Sequence, residues 1–133
     1  MPLLSDVGTY VAANGGGSVG TTIFEGQVPD DMNAGIGLFE YPGAPPDYSL
    51  DDPGVHIEKP RFQVYCRHTD YTTGRALIET VYEALAKVVN QALSGTTYLR
   101  IEPLGSPFQL TPPRDGQGRW EWRCNFTTEK ALG

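Results

Sequence analysis

The sequence predicts a single α+β domain of mixed α/β character, in which an antiparallel or mixed sheet packs on one main helix beside a short N-terminal helix. Three observations carry this reading. Two stretches, "RFQVYCRH" and "GRWEWRCNFTT", alternate apolar and polar residues with the period of a half-buried strand. Between them runs an apolar stripe with helical spacing. The length of 133 residues with 39% hydrophobic content suits one core and no more, so the domain covers 1–133.

At the N-terminus, Pro2 fits a first helical position, and Leu3, Leu4, Val7, Tyr10 and Val11 recur every three or four residues, which gives a short amphipathic helix ending near Asn14. From Gly15 to Thr22 the chain comes within one residue of a phosphate-binding loop. Thr21 stands where that loop needs lysine, and the order of helix, loop and strand is the reverse of the one that aims backbone N–H groups at an anion. These glycines therefore close a helix, and no nucleotide site is read. "TTIFEGQV" is β-branched and aromatic and reads as a strand; "QVPDDMNAG" reads as a turn, and "GIGLFEY" as a second strand.

Residues 42–60, "PGAPPDYSLDDPGVHIEKP", hold five prolines and two glycines, which disfavour a helix or a central strand. The segment reads as a long Pro/Gly-rich binding arm. In "RFQVYCRH", Phe62, Val64 and Cys66 share the apolar face, with Arg61, Gln63, Tyr65 and Arg67 opposite. Asp70 can cap the main helix, and Leu77, Ile78, Val81, Leu85, Val88 and Val89 extend its stripe to about Ala92, so the helix is expected over 70–92. "TTYLRIEP" is a further strand. In the closing strand Trp120, Trp122, Cys124 and Phe126 face the core, with Arg119, Glu121, Arg123 and Asn125 on the other side. The uncovered face of the sheet should then show Arg61, Gln63, Tyr65, Arg67, Glu121, Arg123 and Arg100.

Charge is segregated along the chain. Nine acidic and no basic residues precede Lys59; ten basic and seven acidic residues follow from there, for a net charge of −6. The net sign argues against a nucleic-acid binder that works by phosphate neutralisation. The segregation fits either two solvated surfaces of different sign or self-association of the acidic half of one copy with the basic half of the next. No apolar run reaches the length of a membrane span, the start lacks a signal peptide pattern, and the chain is read as made and kept in a cytosol.

Catalytic chemistry finds little support. Cys66, His68, His56 and Cys124 match no zinc spacing, and the two cysteines are explained as reduced, buried core residues. Asp47, Asp51, Asp52 and His56 have the residue types of a magnesium nuclease, but they sit on a proline-rich segment without rigid support. There is no nucleophile elbow. No catalytic residue, metal or cofactor is assigned. A metal-dependent hydrolase using the Asp-rich loop and a peptide-binding adaptor are the alternatives to a structural role.

The succession "TIFEGQVPDD", "GIGLFEYPGAPPD", "KPRFQVYCRHTDY", a helix, and "DGQGRWEWRCNFT" resembles the bacteriophage minor capsid and tail terminator family over about residues 2 to 129. Pro60, Gln63, Val64 and Arg67 match one strand motif of that family, and Asp115, Gly118, Arg119, Asn125 and Phe126 match the closing one. The resemblance implies a structural virion protein that forms a ring, a hexamer, at the head-proximal end of a long non-contractile tail. There it stops growth of the tail tube and meets head-completion (stopper) proteins, while genomic DNA passes through the lumen without specific binding. A different head–tail joining component is the nearest alternative. The resemblance also implies assembly in the host cytoplasm, away from any membrane. Interface residues expected from charge and position are Asp30, Asp31, Pro45, Pro46, Asp47, Asp51, Asp52, Arg61, Gln63, Tyr65, Arg67 and Arg123.

Overall fold

The computed structural model describes residues 3–48, 56–110 and 118–132, with side chains described except at 44–48, 56 and 132. Helix α1 covers Leu3–Val11 and runs into a π turn at Ala12–Gly16, so the glycines do close the first helix. Strands β1 (Ile23–Glu25), β2 (Ala34–Tyr48) and β3 (His56–His68) precede helix α2 (Tyr71–Ala86). Strands β4 (Val89–Leu93), β5 (Thr96–Pro103), β6 (Phe108–Gln109) and β7 (Trp120–Leu132) follow. The sheet order is β1-β2-β3-β7-β5-β4, with β6 paired to β7. Among the described strands only β1 and β2 run parallel, so the sheet is mixed.

Both helices lie against one face of this sheet. Phe62, Val64 and Cys66 of β3 and Trp122, Cys124 and Phe126 of β7 point into it and are buried together with Ile78, Val81 and Leu85 of α2 and Leu3, Val7 and Val11 of α1. Phe62 and Phe126 stand opposite one another in the β3–β7 register and stack with ring centroids 5.1 Å apart. The period-two alternation therefore places its apolar set as expected.

Polar ties fix the helices. The Tyr98 hydroxyl on β5 donates to Asp6 Oδ2 at 2.8 Å, and the Tyr10 hydroxyl donates to the Ala84 carbonyl at 2.9 Å, joining α1 to the sheet and to α2. Asp6 is fully buried and its Oδ1 has no hydrogen-bond partner among the described residues. Asp70 caps α2 by accepting from the Thr73 N–H at 2.8 Å.

Two elements differ from the sequence reading. The main helix stops at Ala86 instead of about Ala92, and Val89–Leu93 is an edge strand. Val88 and Val89 are β-branched, Asn90 takes a left-handed φ of 47°, and the tight turn Ser94–Gly95, with φ of 50° and 86°, sends β4 back along β5. That pair of positive φ values is the mark of a two-residue type I′ hairpin, which recruits the valines into sheet pairing. The second difference is in the proline-rich segment. Residues 42–48 and 56–60 lie in β2 and β3 and pair through Ala44 with Lys59, Asp47 with Ile57 and Tyr48 with His56, across register shifts on either side of Ala44. Among the described residues β1 pairs β2 only at Ile36–Leu38 and the rest of β2 is an edge on its other side, where a proline without an N–H breaks no ladder bond. Residues 49–55 of the expected arm lie outside the described residues.

Candidate functional site

The outward face of the sheet is built by three strands in register. Gly37 of β2 stands opposite Tyr65 of β3, which stands opposite Arg123 of β7; Phe39, Gln63 and Asn125 form the next row, and Arg67 pairs Glu121. Alternation along β3 and β7 sends these side chains away from the helices. Gln63 Nε2 donates to Asn125 Oδ1 at 2.8 Å, so this pair satisfies itself across the strands.

Residues 26–33, between β1 and β2, fold over one end of that face. Gly37 makes this possible: a Cβ there would fall 2.3 Å from a Val28 methyl, so only glycine lets Val28 settle on the sheet. Arg67 pins the segment by donating from Nη1 to the carbonyls of Pro29 and Met32, each at 3.2 Å, and Arg119 adds bonds to Asp30 O at 2.5 Å and Met32 O at 3.1 Å. Arg119, opposite the core-facing set in the strand alternation, is buried as this second clamp.

Beneath Arg67 and Arg123 lies the Tyr65 ring, each guanidinium carbon 5.5 Å from its centroid. The Tyr65 hydroxyl donates to Glu121 Oε2 and accepts from Arg67 Nε at 3.1 Å. Burial, and next the hydrogen bond to the Glu121 carboxylate, push the phenol pKa up to about 12, so it stays a donor at neutral pH. Above this group is an open hollow of about 450 Å³, walled by Gly26, Gln27, Val28 and Phe39 and floored by Tyr65, Arg67, Glu121 and Arg123. A second hollow of about 270 Å³ adjoins at Phe39 and reaches Tyr41, Gln63 and Asn125.

The expected interface residues are thus partly assembled. Gln63, Tyr65, Arg67 and Arg123 share this face, with Arg61 along the same side of β3. The Nε atoms of Arg61 and Arg123 are buried without a hydrogen-bond partner among the described residues. Asp30 and Asp31 are exposed on the turn that Arg67 and Arg119 hold. Pro45, Pro46 and Asp47 lie on β2 without described side chains, and Asp51 and Asp52 fall outside the described residues. Arg100 stands opposite Glu129 on β5 and pairs with Glu102 at 2.9 Å. Sequence reasoning missed Phe39, Val28 and Arg119; a glycine at position 37 inside an otherwise apolar strand was the available signal for a close approach.

No cluster of metal-ligating residues occurs among the described residues. The Cys66 thiol donates to the Gly74 carbonyl at 3.6 Å and the Cys124 thiol to the Gly105 carbonyl at 3.5 Å; both are buried and unbridged. His68 Nδ1 accepts from the Asp70 N–H at 2.9 Å, which gives it a local capping role. The side chains of the aspartate-rich hydrolase set, Asp47, Asp51, Asp52 and His56, lie outside those described. No helix among the described residues is long and apolar enough to cross a membrane.

The sequence model of the bacteriophage tail terminator protein family matches residues 10–132, nearly the whole chain and every strand of the sheet. The chain belongs to the bacteriophage tail terminator family. It is a structural protein of a phage tail and a component of the phage particle, assembled with other virion proteins. The fold is similar to that of a chain in the structure of the "virion of native gene transfer agent (GTA) particle", with a TM-score of 0.61 at 15% identity, covering 98% of this chain and 95% of that one. No curated protein sequence matches the chain.

Proposed function

We propose that this tail terminator family member closes into a ring, a hexamer, at the head-proximal end of a long non-contractile tail, where it caps the tail tube and joins it to the head-completion proteins. The observation that carries the proposal is the family match over residues 10–132, which leaves no strand or main helix unaccounted for. The charge pattern supports the closed form: an acidic half and a basic half on one chain are self-complementary between copies, and a heterologous contact that repeats around an axis ends in a ring. The net charge of −6 suits the wall of a DNA passage, since like charge keeps the duplex from sticking.

In this reading the interface draws on the exposed Asp30 and Asp31, on the Pro/Gly-rich segment 42–60 with Pro45, Pro46, Asp47, Asp51 and Asp52, and on Arg61, Gln63, Tyr65 and Arg123. Arg67 contributes by holding the 26–33 segment in place. The 42–60 segment reaches a neighbouring subunit or tail component, and assembly takes place in the host cytoplasm.

The test is polymerisation of the tail tube protein with and without this chain. Tubes that stop lengthening when the protein is added, each carrying a single ring at one end, support the proposal. Tubes that grow to the same length in its presence would overturn the capping role and favour another position in the head–tail joint.

A further inference from the structure

We infer that the hollow above Tyr65 is a carboxylate receptor, and that its occupant is an acidic side chain from the N-terminal half of a second copy of this chain. The inference rests on the self-association proposed above and names the site through which it acts.

Charge around the hollow does not balance. Two guanidinium groups, Arg67 and Arg123, meet one carboxylate, Glu121, and that carboxylate is engaged by the Tyr65 hydroxyl and forms no ion pair among the described residues. Arg67 spends its donors on two neutral carbonyls and the phenol oxygen. Arg123 donates to nothing among the described residues: its Nε is shielded from water without a partner and its guanidinium lies over the Tyr65 ring. A partly desolvated cation with no acceptor is costly until an anion arrives, and a planar guanidinium already held on an aromatic face loses little freedom when it forms two parallel bonds to a carboxylate.

The surplus of positive charge selects an anion, and the paired donors of a guanidinium suit the two oxygens of a carboxylate. A phosphate chain would meet Glu121 in the floor and the repulsion of a chain carrying a net charge of −6. The occupant follows from complementarity: Glu25, Asp30, Asp31 and Glu40 are exposed, belong to a stretch without a single basic residue, and make no ion pair among the described residues. A second copy therefore presents the carboxylates that this copy's basic face lacks.

The experiment follows the side-chain Nε–H resonances of Arg123 and Arg67 by ¹⁵N NMR in the full chain. Dilute protein is titrated with succinate, and with sulfate and chloride at matched ionic strength; protein concentration is then raised alone. The expected result is a saturable shift of Arg123 with succinate and a shift in the same direction as copies associate. Arg123→Gln should raise the concentration for half-association by at least about tenfold. Arg75→Gln, on the exposed α2 pair with Glu79, should leave it unchanged. Circular dichroism confirms that both variants are folded. An unmoved Arg123 resonance, or an equal response to sulfate, overturns the carboxylate receptor. A succinate response with association unaffected by Arg123→Gln upholds the receptor and overturns the second copy as occupant. A chain that stays monomeric at every concentration while Arg123 still binds succinate overturns the ring and that occupant, and leaves the receptor standing.

Discussion

Replacing Arg67 with methionine should destabilise the folded chain far more than the same change at Arg123, although both arginines cover Tyr65. Arg67 makes three donations, to Pro29 O and Met32 O at 3.2 Å and to Tyr65 Oη at 3.1 Å. Charge-assisted bonds of good geometry are worth ~1.5–3 kcal/mol each, but these are long and partly exposed, so about 1 kcal/mol apiece for the two carbonyls is the appropriate scale. Met32 O keeps Arg119 as a donor, so Pro29 O is the carbonyl left unpaired. Methionine retains the aliphatic stem, which removes loss of packing as a confounding cause. The expected cost is about 2 kcal/mol, or a fall in Tm of roughly 6–10 °C for a domain of this size. Arg123→Met loses no hydrogen bond among the described residues and forfeits its cation–π contact, about 0.5–1 kcal/mol. Thermal and urea unfolding followed by circular dichroism at low concentration measures both. Equal losses for the two variants would refute the view that Arg67 clamps residues 26–33 while Arg123 is held for a partner.

Other expected outcomes bear on the core and the caps. Burial holds the Cys66 thiol up to about 12 and Cys124 up to about 11, so neither should react with an alkylating reagent at pH 8 in the folded chain, and two thiols should appear on denaturation without reductant. Gly74→Ala places a Cβ 2.4 Å from the Trp122 ring and should cost about 1–3 kcal/mol by overpacking despite the better helix former, read as a lower urea midpoint. Asp70 is held below the ordinary carboxylate range, chiefly by its hydrogen bonds from Thr73. Its capping contribution is therefore complete above the unfolded carboxylate value of roughly 4 and is lost as pH falls through the lower folded value. Asp70→Ala should be less stable than the parent at pH 7, and the gap should close on acidification below that window.

What the sequence made legible follows from which interactions are local. The faces of β3 and β7 were readable because alternation along a strand is a property of neighbouring residues, and Phe62, Val64, Cys66, Trp122, Cys124 and Phe126 are all buried as their positions demand. The end of α2 was not, since Val88, Val89 and Ala92 continue a helical stripe; the Ser94–Gly95 turn and pairing with β5 decide their state, and β5 lies further along the chain. The prolines of 42–60 disfavour a helix or a central strand, and the edge pairing they leave open was not visible locally; beyond Leu38, β2 pairs with β3 alone among the described residues. At the candidate site the arginines and Tyr65 were visible, but their division of labour was not. It depends on the 26–33 segment folding over the face, and the only local trace of that is the missing side chain at Gly37.

The central claim, a ring of this chain at the head-proximal end of the tail, is tested most directly by electron cryo-microscopy of assembled particles with the protein carrying a small C-terminal density label. The account predicts six labels in one ring, at the junction of tail tube and head, in every complete particle. Labels repeated along the tube, a ring at the opposite end, or complete particles without the label would contradict it.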